Sequence, residues 1–146
     1  MDLCRGSDAV TEGIRVVATP GYDATESDPD ARLFVFTYRI RITNEGDRPV
    51  KLLSRRWVIV DADGERTVVR GEGVVGQQPE LKPGEHFDYA SFCRLTRPWG
   101  TMEGTYLMRD LSPRSGESDA PDDKAELFEI AVGRFFLVAP KDVSAT

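Results

Sequence analysis

The sequence predicts an all-β protein, an immunoglobulin/fibronectin type III-like β-sandwich of about seven antiparallel strands. Apolar and polar residues alternate with a period of two in segment after segment, and the 3.6-residue period of an amphipathic helix is almost absent. Turn signals rich in glycine, proline, asparagine and aspartate recur about every 8–12 residues. Trp57, in the third predicted strand, suits the buried tryptophan of such sandwiches. A barrel has the same periodicity and is the structural alternative.

The first four predicted strands cover residues 13–19, 33–43, 50–61 and 66–70. In the second of these, every other side chain is apolar, which is the pattern of a strand with one buried face: Phe34, Phe36, Tyr38, Ile40 and Ile42. In the third, Leu53, Trp57 and Ile59 are expected to share one face, so that Arg56 points away from Trp57. Asp63-Gly64 predicts the hairpin turn that leads into the fourth strand.

The last three predicted strands cover residues 86–95, 101–111 and 125–138. Pro83-Gly84 occupies the two central positions of a predicted type II turn before the first of them. The inward side chains are expected to alternate along two strands: Phe87, Tyr89, Ser91 and Cys93, then Met102, Gly104, Tyr106 and Met108. Trp99 lies between a proline and a glycine in the predicted connection 96–100. We expect it to be partly exposed and treat it as a candidate partner contact.

The 146 residues are predicted to form a single domain, because a chain of this length can bury one sizeable core. Residues 1–12 are expected to be a flexible leader, residues 13–140 the sandwich with an acidic loop at 112–124, and residues 141–146 a tail. No apolar run approaches the roughly 18 residues of a membrane span, and the first residues lack the apolar region of a secretory signal. Cys4 and Cys93 are therefore expected to be reduced thiols in a cytoplasmic protein.

Charge is unevenly distributed along the chain, whose formal net charge is −6. Residues 1–31 and residues 110–129 each carry seven acids against two bases, whereas residues 32–109 carry thirteen bases against ten acids. Of the 19 bases, 15 are arginine, whose planar guanidinium suits carboxylate or phosphate recognition. Solvated arginines on exposed strand faces also explain this composition. An acidic chain without a basic stripe argues against duplex DNA or RNA as a partner.

The segment 70–76 contains the pattern G-x-G-x-x-G, formed by Gly71, Gly73 and Gly76. In a dinucleotide fold a helix follows these glycines and its N-terminus binds the pyrophosphate. Here two prolines and a glycine follow within eight residues, so we predict no such helix. The glycines are instead expected to serve a tight loop that needs positive φ. Alternatively, their amides form an anion-binding nest, with Arg56 and Arg70 supplying charge.

The residues offer little for catalysis, so we predict a non-enzymatic protein with no catalytic residue, no metal site and no cofactor. His86 is the only histidine and starts a predicted strand without a clustered partner. Asp61 and Asp63 lie in a hairpin, where capping of the turn explains them better than catalysis or Mg²⁺ binding. Two distant cysteines and one histidine do not have metal-ligand spacing.

Four blocks in order resemble the ApaG family, and the resemblance covers about residues 13–140. They read LSRRWVIVDADG from Leu53, VRGEGVVGQQP from Val69, LKPGE from Leu81 and GTMEGTYLM from Gly100. The resemblance implies a fibronectin type III-like sandwich without an established catalytic activity. It also implies a gene neighbourhood shared with a diadenosine tetraphosphate hydrolase, an indirect link to cobalt and magnesium resistance, and protein-binding relatives in eukaryotes. The family commonly has histidine where this chain has Arg56, and arginine cannot act as a base near neutral pH.

Two binding functions follow from these observations. The first is a protein–protein interaction module, with a protein partner that the sequence does not identify. The alternative is weak binding of a nucleotide or pyrophosphate, such as a dinucleoside polyphosphate, through the segment from Gly71 to Gly76 together with Arg56 and Arg70. An open edge strand would also allow a homodimer by extension of a sheet. No membrane contact is expected.

Overall fold

A computed structural model describes residues 5–112 and 126–141. These residues form nine strands and one single-turn 3-10 helix at Pro29–Ala31. In chain order the strands are β1 (Ser7–Thr11), β2 (Ile14–Tyr22), β3 (Phe34–Asn44), β4 (Val50–Asp61), β5 (Arg66–Glu72), β6 (Glu80–Leu81), β7 (His86–Leu95), β8 (Trp99–Asp110) and β9 (Leu127–Val138). Within the described ranges, no helix is long and apolar enough to cross a membrane.

The strands form two antiparallel sheets packed face to face. The first sheet has the order β1-β2-β3-β7, and the second has the order β5-β4-β8-β9, with β6 pairing to β4. Strand β1 of the first sheet lies beside β9 of the second: the Ala131 amide donates to the Thr11 hydroxyl at 3.1 Å, and the Phe136 amide donates to the Arg5 carbonyl at 2.8 Å. This side of the sandwich is therefore closed, and the opposite side ends at the edge strands β7 and β5.

The core between the sheets is built on the period-two pattern. The five alternating side chains of β3 that the sequence predicted to be apolar and inward are all buried. The Trp57 ring packs edge-on against Tyr38, Tyr106 and Phe135, with ring centroids 5.5 to 6.1 Å apart. Tyr106 from the second sheet and Tyr89 from the first join their hydroxyl groups in a buried hydrogen bond. The core thus couples both sheets through aromatic side chains.

Asn44 is the one buried polar residue of the described core, and all its side-chain groups are satisfied. Its amide nitrogen donates to the carbonyls of Arg48 at 2.7 Å and Leu81 at 3.0 Å, and its Oδ1 accepts from the Gly46 amide. Burying an amide without partners would cost free energy, so this network fixes the end of β3 against the next two segments.

The predicted turns and most strand limits are confirmed. At Pro83-Gly84 the Glu85 amide donates to the Lys82 carbonyl at 2.9 Å and Gly84 has φ +88°, as a type II turn requires. The hairpin at Asp63-Gly64 also forms, with Gly64 at φ +84°. The seven predicted strands are all present, and the structure adds the short strands β1 and β6. No helix follows Gly76; the next element is β6.

Two segments differ from the prediction. Residues 7–11 lie in the predicted flexible leader but form β1, because the Glu12-Gly13 turn folds them back onto β2. Both turn residues have positive φ, 49° and 82°, which is the geometry of a two-residue hairpin turn. Trp99 is the first residue of β8 and not part of a loop. The predicted acidic loop and tail lie outside the described residues, except for Ser112 and Lys141.

A β-bulge in β4 places Leu52, which the sequence did not single out, in the core. The pairing of β4 with β8 shifts between Leu52 and Ser54, so one residue is inserted in β4. An extra residue shifts the alternation of side chains, so that Leu52 as well as Trp57 points into the core. Leu52 is fully buried, whereas Leu53 is only half-buried.

Candidate functional site

The outer face of the second sheet carries the two arginines and the tryptophan that the sequence singled out. Directly paired residues in antiparallel strands place their side chains on the same face of the sheet. Trp57 is paired with Val69 and Gly104 and points into the core, so its neighbours in the sequence point outwards. Arg56, Arg70 and Trp99 consequently all lie on the outer face. We call this surface the outer face throughout.

One half of the outer face holds an arginine pair, Arg56 on β4 and Arg70 on β5. They are direct cross-strand partners, and Thr105 of β8 is the next residue in the same row. Neither guanidinium has a carboxylate partner within the described part of the chain. Like charges placed opposite each other repel, so this pair is a position where an anion would be favourable. Ser54 and Thr105 line the same shallow depression, but so do Glu72 and Glu129.

The other half of the outer face is an apolar patch, formed by side chains of four strands: Val58, Val60, Val68, Trp99, Phe136 and Val138. Trp99 is 46% exposed and Phe136 is 40% exposed. The exposure predicted for Trp99 is thus confirmed. Thr105 and Trp99 are six residues apart on β8, so the arginine pair and Trp99 lie roughly 20 Å apart at the usual rise per residue. The Glu103–Arg134 ion pair, at 2.7 Å, lies between the two halves.

The glycine segment is divided between a strand and a turn. Gly71 belongs to β5 and does not have positive φ, so the predicted loop conformation is wrong for this residue. Gly73 and Gly76 have φ values of +63° and +79°, as predicted. Val74 and Gln77 exchange two backbone hydrogen bonds across the residues Val75-Gly76, which both have positive φ. This is a tight two-residue hairpin turn with a β-branched residue at its tip.

Most amides of this segment already have acceptors inside the protein. The Gly73 amide donates to the Leu53 carbonyl at 2.8 Å, and the amides of Val74 and Gln77 donate to each other's carbonyls. An anion nest needs successive amides that point at the ligand. Charge for an anion would therefore come from Arg56 and Arg70, which lie on the outer face, rather than from the turn.

Arg55 is the residue of this region that the sequence did not single out. Its Nη1 donates to the carbonyls of Glu72 at 3.1 Å and Gly73 at 2.8 Å, which ties β4 to the end of β5. A Cβ built on Gly71 would lie 2.7 to 2.8 Å from the Arg55 guanidinium, so the missing side chain of Gly71 makes room for this arginine. Arg55 lies two residues before Trp57, so the period-two alternation places it on the inner face. Periodicity gave no signal for its hydrogen bonds to the end of β5.

The groups weighed as catalytic candidates have structural partners. The Asp61 carboxylate accepts from the amides of Asp63 at 2.9 Å and Glu65 at 3.0 Å, which is turn capping as predicted. Asp63 forms an ion pair with Arg97 at 2.6 Å. His86 is half-exposed, and its Nε2 lies 3.8 Å from Asp88, whose carboxylate is held by Arg41. Within the described ranges, no three His, Cys, Asp or Glu side chains cluster in a way that could hold a metal ion.

Burial controls the ionisation of the interior groups. It raises the pKa of the Cys93 thiol to about 11, so this free cysteine is protonated and unreactive near neutral pH. Burial and the neighbouring Tyr89 raise the pKa of Tyr106, and burial raises the pKa of Tyr89. The Asp88 carboxyl behaves in the opposite way, because hydrogen bonding to Arg41 lowers its pKa. None of these groups lies on the outer face.

The two antiparallel sheets, packed face to face, define the class of the protein as an all-β sandwich domain, and the outer face is the candidate site of that domain. Residues 24–110 match the family model described as the ApaG domain. The chain belongs to the ApaG family. It is 46% identical to Protein ApaG of Anaeromyxobacter sp. (strain K) over 134 residues, which cover 92% of this chain and 96% of that one.

Other relatives agree with this assignment. Protein ApaG of Methylobacterium sp. (strain 4-46) is 50% identical over 113 residues, which cover 77% of this chain and 87% of that one. A crystal structure of a Bordetella pertussis protein superposes with a TM-score of 0.77 at 41% identity, and the match covers 88% of this chain and 94% of that one. The predicted sandwich and the predicted family are therefore both confirmed.

Proposed function

We propose that this chain is a cytoplasmic, non-enzymatic binding module that docks a protein partner on its outer face. One observation carries the proposal: the apolar patch places the half-exposed Trp99 and the half-exposed Phe136 at diagonal positions of the β8–β9 ladder. Aromatic anchors surrounded by smaller apolar contacts are typical of the centre of protein interfaces. The arginine pair and Arg66, none with a carboxylate partner in the described residues, border the patch. The partner is therefore a protein that presents an apolar anchor flanked by carboxylates.

A site-specific photo-crosslinking experiment identifies the partner. A photoreactive amino acid replaces Trp99 in one variant and Phe92 in the control variant. Phe92 is 54% exposed on the outer surface of the first sheet, so it is an aromatic residue of matched exposure away from the patch. We expect the Trp99 variant to crosslink a defined protein that the Phe92 variant does not capture.

The purified complex then gives the quantitative test. The double variant Trp99→Ser, Phe136→Ser should weaken the Kd by about 100-fold, since buried aromatic anchors contribute at least about 2 kcal/mol each and such effects are not fully additive. The control Phe92→Ser should leave the Kd unchanged. Equal affinities of the patch variant and the wild type would refute docking on the outer face.

A second candidate is weak binding of pyrophosphate or a nucleotide, favoured by the Arg56–Arg70 pair, which has no carboxylate partner within residues 5–112 and 126–141. Titration of ¹⁵N-labelled protein with pyrophosphate should move the amides around Arg70 and Gly71 at millimolar ligand. The double variant Arg56→Gln, Arg70→Gln should abolish these shifts. Arg39→Gln is the matched control, because Arg39 also lacks a carboxylate partner within the described residues but lies on the first sheet. Unmoved amides from Arg70 to Gly76 would eliminate this candidate.

A further inference from the structure

Strand β5 is an edge strand that leaves both of its faces and its outer backbone edge open. It ends the strand order of the second sheet, and its residues are exposed except for the half-buried Gly71. Even Val69, which is on the inner side opposite Trp57, is 38% exposed. The first sheet therefore covers the inner side of β5 only partly, and the outer backbone edge of the strand is accessible.

The hydrogen-bond phase of the β4–β5 ladder shows which backbone groups are free. The Asp61 amide donates to the Glu65 carbonyl and the Gly73 amide donates to the Leu53 carbonyl, so the odd residues of β5 bond to β4. In an antiparallel ladder the alternate residues direct their N–H and C=O groups away from the partner. Arg66, Val68 and Arg70 thus face the open edge with no acceptor or donor in the described residues. The Glu72 carbonyl is taken by Arg55.

The same three residues present a charge pattern on the outer face. Arg66 and Arg70 flank Val68, and neither has a carboxylate partner among the residues that the structure describes. A strand added next to β5 places its own side chains directly opposite these three, on the same face of the sheet. Carboxylates opposite the two arginines and an apolar side chain opposite Val68 would complement this edge and extend the apolar patch.

We infer that β5 binds an extended, acidic segment of the partner protein by antiparallel strand addition. The segment has the pattern acid–x–apolar–x–acid. The two residues marked x lie opposite Thr67 and Val69, and β-branched residues suit these positions. The inference rests on the proposed function, because it states how the partner is held. Main-chain hydrogen bonds supply affinity and the alternating side chains supply specificity in this mode of recognition.

A second copy of the chain is a poorer occupant of this edge. When two β5 strands pair antiparallel around Val68, the register that uses all three open residues places Arg66 of each copy opposite Arg70 of the other. Like charges directly opposite each other are destabilising. Charged side chains on an edge are also a common protection against self-association. The edge thus selects an acidic partner strand over itself.

The test uses a blocked synthetic peptide, Gly-Glu-Thr-Val-Thr-Glu-Gly, and the full-length ¹⁵N-labelled protein. Binding should shift the amide signals of Arg66, Val68 and Arg70 and slow their hydrogen exchange. A peptide with the same charges, but with N-methyl groups at the amides that pair with β5, should bind at least about tenfold more weakly. A peptide with lysine in place of both glutamates should bind as weakly as the N-methylated peptide.

Charge exchange provides the protein-side control. The variant Arg66→Glu, Arg70→Glu should lose the acidic peptide and gain the lysine peptide, which also shows that the variant is folded. Arg39→Glu on the first sheet should behave as the wild type. Equal binding of the N-methylated and unmodified peptides would overturn strand addition, as would a β5-paired dimer in sedimentation analysis of the protein without peptide.

The outcomes separate this inference from the proposed function. If Trp99→Ser, Phe136→Ser loses the purified partner but the unmodified peptide does not bind, the outer face docks a protein by another mode and strand addition is wrong. If the peptide binds β5 while the patch variant keeps the partner, the edge accepts a strand and the docking surface is wrong.

Discussion

At the scale of single residues, adjacent arginines on one strand have different roles. Arg55 and Arg56 follow each other in β4, but Arg55 points inward and donates to two carbonyls at the end of β5, whereas Arg56 points outward beside Arg70. Gly71 leaves the space that the Arg55 guanidinium fills. The first arginine therefore contributes to stability, and the second is available for a ligand.

The prediction at this scale compares Arg55→Ala with Arg56→Ala. Arg55→Ala should lower the free energy of unfolding by about 1–3 kcal/mol, because two hydrogen bonds from a charged donor are lost and the Gly73 carbonyl is left without this partner. Arg56→Ala should change it by less than about 0.5 kcal/mol. Urea unfolding followed by tryptophan fluorescence measures both values, and a larger loss for Arg56→Ala would contradict the assignment.

At the scale of elements, bulges decide which side chains reach the core. The bulge at Leu53 reverses the alternation within β4, and the pairing of β8 with β9 shifts in the same way between Met102 and Gly104. Along β9 the buried positions accordingly change from even numbers, as in Ile130, to odd numbers, as in Phe135. The Leu53 carbonyl accepts from Gly73 and from the Gln78 side chain, so the bulge also holds the glycine turn.

The prediction at this scale compares two neighbouring leucines. Leu52→Ala should cost about 2–5 kcal/mol of stability, because it leaves a cavity in the core next to β8. Leu53→Ala should cost about 1 kcal/mol or less, since this side chain is only half-buried. Thermal and urea unfolding of both variants provide the measurement. Equal losses would mean that the bulge is not where the structure places it.

At the scale of the whole molecule, the two sheets are joined by a buried aromatic centre that contains ionisable groups. Tyr89 belongs to the first sheet and Tyr106 to the second, and their hydroxyls are hydrogen-bonded to each other. Burial raises the pKa of both tyrosines and of Cys93. Each raised pKa means that the folded protein holds the proton more tightly than the unfolded chain does.

The prediction at this scale is alkaline destabilisation. The contribution of these groups is fully present below their ordinary pKa values, 9.0 for cysteine and 10.0 for tyrosine. It is lost as the pH rises through the raised values, at up to about 1.4 kcal/mol per pH unit for each group. Urea unfolding between pH 8 and about pH 11 should show this decline, and tyrosinate absorbance of Tyr89 and Tyr106 should appear only with unfolding.

The matched control removes both hydroxyl groups together. In Tyr89→Phe, Tyr106→Phe the two buried rings remain and no hydroxyl loses its partner, so the decline of stability with pH should be shallower than in the wild type. A stability that stays level in the wild type across this pH range would contradict the raised pKa values.

The fold class, the family and most strand limits could be predicted from the amino-acid order alone. Two features can be read directly from a sequence, because they depend on local sterics and on the order of apolar and polar residues. They are the alternation along β3 and β7 and the turn residues at Asp63-Gly64 and Pro83-Gly84. The sequence also predicts that the glycine segment starts no helix, since the prolines after it prevent one. The exposure of Trp99 followed from its position between a proline and a glycine.

Where these residues meet depends on how the strands pair in the folded protein. The sequence does not show that Arg56, Arg70 and Trp99 share one face, because strand register and bulges depend on pairing between segments far apart in the chain. For the same reason it did not show β1, whose five residues become a strand only against β2 and β9, or the role of Arg55. The open edge of β5 was equally invisible, since an edge is defined by the strands that are not beside it.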